Sequence, residues 1–254
     1  RFAGVFPYLI VLISKHQWLK LIMGYFGSAY KIFFVFVLMA ARNIKSIEQL
    51  KNVHHKEAAR VLGLTKLPHV KGVWQWFYAA CRLRVSSSLC QSFFKRQFYS
   101  GLVSTWLWFT DGHLIPYTGK KKVHSGYNTQ RKMMMPGQTN MVTCDMSGRI
   151  VDFQIQEGKG DLKAHIVALK EKWVEELPEP PVMVFDREGH GAPFFYQLID
   201  AEIPFVTWEK HIDANTLNAL DDALFKDSFE MNHKKYRVFE GEKKFKLEQN
   251  EEIQ

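Results

Sequence analysis

The hydrophobic period of this chain changes near Ser104, and that change limits the possible folds more than any single motif does. Before it, apolar residues show no clear two-residue alternation, and residues 47–50, 56–62 and 70–80 read as short helices. Gly63 and Pro68 interrupt the last two, which is consistent with a helix-turn-helix-like unit. Beyond Ser104, residues 105–110, 139–144 and 149–156 are β-like, and Asp145-Met146-Ser147-Gly148 has the composition of a hairpin turn. Asp161 can cap a helix that carries Leu162, Ile166, Leu169, Trp173 and Leu177 at helical spacing and is stopped by Pro178, Pro180 and Pro181. Val182-Met183-Val184-Phe185 then reads as a buried strand, Pro193 opens a helix that runs to Ala201, and residues 203–208 form a fifth strand. The predicted order is β-β-β-α-β-α-β: an α/β fold whose mixed sheet has flanking helices and follows an all-helical N-terminal region.

Composition removes several alternatives. With 254 residues and 46% of them hydrophobic, the chain has enough apolar material for one large or two modest cores, which excludes a disordered tail, a collagen-like fibre and a disulfide-stapled miniprotein. The three cysteines, Cys81, Cys90 and Cys144, form no CxxC pair, and their odd number fits a reducing cytoplasm. The most apolar runs, residues 5–13 and 32–41, are each about half the roughly twenty residues that a membrane-spanning helix needs. They are expected to be buried helices, with no membrane partner. A start at Arg1 without Met and a stop at Gln254 within a charged run lead to the expectation of a fragment.

Charge is distributed unevenly. Residues 1–132 hold 20 Lys and Arg against three acids, a net +17, whereas residues 133–254 carry a net −9. The basic half is interleaved with aromatics such as Trp74, Trp76, Phe93 and Phe98. Cations of this kind can displace counterions from phosphates, as sequence-independent nucleic-acid binding requires; a solvated basic surface over an aromatic core is the competing explanation.

Two carboxylates fall at predicted strand ends: Asp111 after the first strand and Asp186 after the fourth. If those strands lie parallel and adjacent, both acids reach one sheet edge. Magnesium takes oxygen ligands and is commonly held by one or two protein carboxylates plus substrate phosphates, so the pair has suitable chemistry for phosphoryl transfer. An aspartate in such a place can equally be a loop residue or a helix cap.

The surrounding blocks carry more information. Asp111 opens Asp111-Gly112-His113-Leu114-Ile115-Pro116-Tyr117-Thr118-Gly119-Lys120, followed by Val123-His124-Ser125-Gly126-Tyr127-Asn128-Thr129-Gln130-Arg131 and Met135-Pro136-Gly137-Gln138-Thr139. Asp186 sits in Val184-Phe185-Asp186-Arg187-Glu188-Gly189. Over roughly residues 104–210, the chain resembles the DDE transposases of bacterial and archaeal insertion sequences. The resemblance implies a ribonuclease-H-like core over 104–227, a helical DNA-binding region over 1–103, and the start of a β-rich insertion over 228–254. It further implies that Asp111 and Asp186 are catalytic metal ligands for Mg²⁺, with Mn²⁺ able to substitute. The implied reaction is metal-dependent strand cleavage and strand transfer on DNA, by a homo-oligomer when two ends are synapsed, in a prokaryotic cytoplasm.

Lys120, Lys121, Lys122, His124, Arg131, Lys132 and Arg187 lie near the two aspartates in sequence and are the expected DNA contacts. The family's third carboxylate, a Glu in Y-x2-R-x3-E-x6-K, has no match: Tyr236 is followed directly by Arg237, and Glu240 comes only three residues later. Glu230, Glu240, Glu242 and Glu248 lie in short segments that look like the beginning of the insertion, so the chain is expected to stop before its catalytic Glu. Two alternatives stay open: a non-catalytic DNA-binding remnant of a decayed element, and a ribonuclease-H-like nuclease without strand transfer.

Overall fold

The computed structural model describes residues 5–173, 176–177, 179–210, 215, 218–225 and 227–239. The chain divides into two compact units, Arg1–Ser104 with Ile150–Gln154, and Thr105–Arg149 with Ile155–Gln254.

The first unit contains helices α1 (Val5–Lys15), α2 (Trp18–Phe26), α3 (Lys31–Ala41), α4 (His55–Val61), α5 (Val70–Arg82) and α6 (Ser86–Tyr99), with a 3-10 helix over Ile47–Asn52. Helical spacing on α3 buries Ile32, Val35, Leu38 and Met39. Val35, Leu38 and Met39 share a core with Ile47, Leu50, Ala58, Ala59, Leu62, Leu67, Val70 and Val73. Gly63 has a φ of +65°, which a glycine adopts without steric cost, and the chain turns there between α4 and α5. Glu48 ties the 3-10 helix to α5: its carboxylate accepts from the Trp74 indole N–H at 2.9 Å and from Lys51. These bonds, that to Lys51 first, hold the Glu48 pKa below the usual glutamate range. The expected burial of the first apolar run holds for Ile13 but not for Tyr8, Ile10 or Val11, which are exposed. Among the described residues, no helix is long and apolar enough to cross a membrane.

The second unit is built on a mixed sheet of order β2-β3-β1-β5-β6, with β4 paired to β3. The strands of the sheet are β1 (Leu107–Pro116), β2 (Ser125–Asn128), β3 (Met133–Asp145), β4 (Ile150–Glu157, whose first five residues group with the first unit), β5 (Val182–Phe185) and β6 (Phe205–Thr207), and the helices of this unit are α7 (Leu162–Trp173) and α8 (Ala192–Asp200). This is the order expected from the sequence, with one strand added. Strand β2 escapes a pattern search because Tyr127 is its only large apolar residue. Its Gly126 is buried so closely that a Cβ there would come 2.8 Å from a Leu114 methyl.

The first strand also departs from expectation, since it runs five residues past Asp111. Strand β3 pairs antiparallel with it from Trp108↔Asp145 to Pro116↔Gly137, and so holds it extended. Strand β5 pairs parallel with it only from Leu107↔Val182 to Thr110↔Phe185. Asp111 therefore follows the parallel pairing rather than ending the strand.

Alternation along β1 buries Trp108, Thr110 and Leu114, and Met183 and Phe185 of β5 are buried as well. Ile166, Leu169 and Trp173 of α7 and Phe194, Phe195 and Leu198 of α8 complete this core. Each large apolar side chain fully buried in it contributes about 1.5–3 kcal/mol. Asp161 caps α7 as expected, its Oδ1 accepting from the Ala164 amide at 3.0 Å. A separate antiparallel hairpin, β7 (Asp227–Met231) and β8 (Lys234–Val238), turns at Asn232 and His233, both at positive φ.

Candidate active site

The parallel register brings the two aspartates together. Thr110 is paired with Phe185, and the residues that directly follow them are Asp111, still within β1, and Asp186, just past the end of β5. Neighbouring strands lie about 4.8 Å apart, so the two positions share one stretch of sheet edge. Because side chains alternate, Asp111 points with Phe109 and His113 to the face opposite Trp108 and Thr110.

Both carboxylates are exposed, and the backbone holds each of them. The Oδ1 of Asp111 accepts from the Gly112 amide at 2.8 Å. The Oδ1 of Asp186 accepts from the Glu188 amide at 2.9 Å, and its carbonyl accepts from the Thr207 hydroxyl at 3.1 Å. The Asp186 turn rests on Gly189, where a Cβ would lie 2.4 Å from the Phe185 ring, so only glycine fits that approach. Under Asp111, a buried chain runs from Thr110 Oγ1 to Thr143 Oγ1 (3.0 Å) and on to His165 Nε2 (3.2 Å), tying β1 and β3 to α7. Cys144 is the cross-strand partner of Phe109. Burial, and secondarily the Asp145 charge, raises its pKa and keeps it a thiol at neutral pH.

The other expected residues divide by position. Arg187 directly follows Asp186 in the 3-10 turn. Arg131 and Lys132 occupy the β2–β3 turn, where the Arg131 amide donates to Asn128 Oδ1 at 2.8 Å and Lys132 has a φ of +52°. Residues Asn128 to Gln130 of that hairpin line a cleft with Gly112, His113 and Glu188. Lys120, Lys121, Lys122 and His124 are exposed in the loop that follows β1. That loop begins five residues past Asp111, or about 16 Å at 3.3 Å per strand residue. The His124 amide donates to Glu157 Oε1 at 3.3 Å, and its carbonyl accepts from the Gly137 amide.

Two features here are absent from the motif reading. His190 Nε2 lies 3.1 Å from Glu209 Oε1, just beyond the Asp186 turn; the 19-residue separation of the two leaves no sequence signal. Lys159 lines the same cleft as His113 and Glu188, and its signal is visible as Gly158-Lys159-Gly160 between a strand and a helix.

No family model and no curated protein matches the chain. Among solved structures, one similar chain belongs to a simian T-cell lymphotropic virus intasome in complex with the PP2A regulatory subunit B56 gamma. The sequences are 14% identical, and the match covers 67% of this chain and 54% of that chain with a TM-score of 0.27. The protein thus spans about half the length of the chain it matches, and so loose a superposition carries no argument about fold or function.

The donor set can be compared with what a hard cation needs. Among the described residues, no group of three or more His, Cys, Asp or Glu is placed to hold a metal. Glu230 is exposed on β7 opposite Lys235, and Glu240, Glu242 and Glu248 lie outside the described residues. Two exposed carboxylates, each with one oxygen on a backbone amide, have further lone pairs to offer, and such a pair fits Mg²⁺ when phosphate oxygens and water complete the shell.

Proposed function

We propose that this chain belongs to a DDE-type DNA transposase and contributes two carboxylates of a ribonuclease-H-like catalytic core. The observation that supports it best is the pairing Thr110↔Phe185, which makes Asp111 and Asp186 neighbours although the sequence separates them widely. The mixed sheet and the sequence blocks around both aspartates agree with this reading.

Asp111 and Asp186 would hold Mg²⁺ or Mn²⁺ through their carboxylate oxygens. When bound, such a cation would supply Lewis acidity at a phosphate and would lower the pKa of an attacking water or 3′-hydroxyl. The protein's part is orientation: backbone amides fix both carboxylates, and the packing of Gly189 against Phe185 fixes the Asp186 turn. Arg187, Arg131 and Lys132 steady the DNA backbone beside the site.

Asp111→Asn or Asp186→Asn in the complete enzyme should reduce both cleaved and joined DNA products on the order of 10³-fold or more, since several kcal/mol of charge stabilisation leave with the cation. DNA affinity in an anisotropy titration should stay nearly unchanged. Cleavage retained by either variant overturns the assignment. Cleavage that needs both aspartates but never yields joined products favours a ribonuclease-H-like nuclease.

A further inference from the structure

Between β4 and α7 the chain makes a short connection, Gly158-Lys159-Gly160-Asp161, whose backbone is fixed on both sides of the lysine. The Thr139 hydroxyl donates to the Gly158 carbonyl at 2.6 Å and accepts from the Gly160 amide at 2.9 Å. The Gly158 amide donates to the Gly137 carbonyl at 2.9 Å, and the Asp161 amide donates to Gln156 Oε1 at 2.6 Å.

Neither glycine can be replaced freely. Gly158 has a φ of +70°, and a Cβ there would lie 2.7 Å from the Cβ of His124. A Cβ on Gly160 would lie 2.3 Å from Met141 Cε and 2.7 Å from Thr139 Cγ2. Two glycines and a buried threonine therefore hold a single exposed side chain.

That side chain lines a cleft with Thr139 and Met141 of β3 and with residues next to both aspartates: Gly112 and His113 directly follow Asp111, and Glu188 lies two residues after Asp186, while neither carboxylate itself lines it. Asn128 and Gln130 add amide groups. Among the described residues, Lys159 makes no hydrogen bond or ion pair with another side chain. A lysine ammonium is a compact point charge with three donors, which suits a phosphate, and a pre-ordered backbone reduces the entropy lost on binding one.

We propose that Lys159 binds a phosphate of the DNA strand that enters the aspartate site, and so sets which phosphodiester lies against Asp111 and Asp186. This rests on the transposase reading. Its role is substrate positioning and is distinct from that of the lysine loop after β1.

The test is a fluorescence-anisotropy titration of the 254-residue chain with a labelled DNA duplex at stepped KCl concentrations. Lys159→Gln should weaken binding about three- to tenfold and flatten the log–log salt slope by about 0.9, the value for one phosphate contact. Lys159→Arg should stay within about twofold of the wild type. Lys170→Gln serves as a control; Lys170 lies on α7 eleven residues further on, with its ammonium on the Ala201 carbonyl, and its replacement should change nothing.

A scan of neutral methylphosphonates along one strand gives a second readout that a merely structural lysine would not move. One position should cost the wild type affinity and cost Lys159→Gln none. If the wild type binds with normal salt dependence and Lys159→Gln matches it in affinity, slope and scan, the proposal fails and the transposase reading stands. If the wild type does not bind DNA at all, both fail together.

Discussion

Thr110 and Asp111 are neighbours in sequence and face opposite sides of one strand. The threonine hydroxyl is buried and bonded to Thr143, while the aspartate carboxylate is exposed. A period of two separates a residue that holds the sheet together from one that can meet substrate. The same attention to single contacts predicts a pH dependence at Glu48. Its pKa is lowered in the folded chain, so the bonds to Lys51 and Trp74 stabilise the fold above the ordinary glutamate value of about 4.3. That contribution is lost as the pH falls through the lowered value. Glu48→Gln should therefore melt at a lower temperature than the wild type near pH 7, and the two melting curves should converge on acidification. A gap between the two that stays constant from pH 7 to pH 3 would show that these contacts do not couple to folding. Asp111 lies within β1 and not at its end, whereas Asp186 can be read from sequence as the residue after an apolar strand. Glu48 cannot, because its partner Trp74 is 26 residues away on another helix.

At the level of elements, what the sequence conveys depends on which neighbour holds each segment. Strand β5 is apolar throughout and legible for that reason, with Met183 and Phe185 buried and Val182 and Val184 half-buried. The extension of β1 to Pro116 is not legible: Gly112, His113 and Pro116 are poor strand formers, and only the ladder with β3 keeps them extended. Strand β2 depends on Gly126 fitting beneath Leu114, a contact that alternation does not record. The meeting of the two aspartates is expected only on condition that β1 and β5 lie parallel and side by side, and the register meets that condition. The Asp186 turn offers a test at this scale. Gly189→Ala would drive a methyl group into the buried Phe185 ring, and overpacking of that kind costs about 1–3 kcal/mol. The urea midpoint should fall accordingly. The displaced turn should also carry the Glu188 amide away from Asp186 and lower Mn²⁺ affinity. Wild-type stability and metal affinity in Gly189→Ala would show that the turn can move without loss.

Across the whole molecule, the charge asymmetry and the geometry of the second unit separate two kinds of cation. The chain carries a formal +8, which conceals a basic first half and an acidic second half. Lys120, Lys121 and Lys122 belong to the basic half, yet their loop begins about 16 Å along β1 from Asp111. The Debye length at physiological ionic strength is about 8 Å, so the field of these lysines is largely screened before it reaches the aspartates. They can act on DNA only by touching it, and they cannot tune the carboxylates. The triple variant Lys120→Gln, Lys121→Gln, Lys122→Gln should therefore weaken DNA binding and flatten the salt slope by up to about 2.7, or about 0.9 for each phosphate released. Its Mn²⁺ affinity, measured by titration calorimetry, should stay within about twofold of the wild type. Lys159 differs because it lines a cleft with His113 and Glu188, which flank the two aspartates in sequence, and adding Lys159→Gln to the triple variant should flatten the slope further by about 0.9. An unchanged slope in the triple variant would mean that the loop is solvated and that DNA follows another path across the sheet. A large change in Mn²⁺ affinity would mean that the loop folds back towards Asp111 in solution.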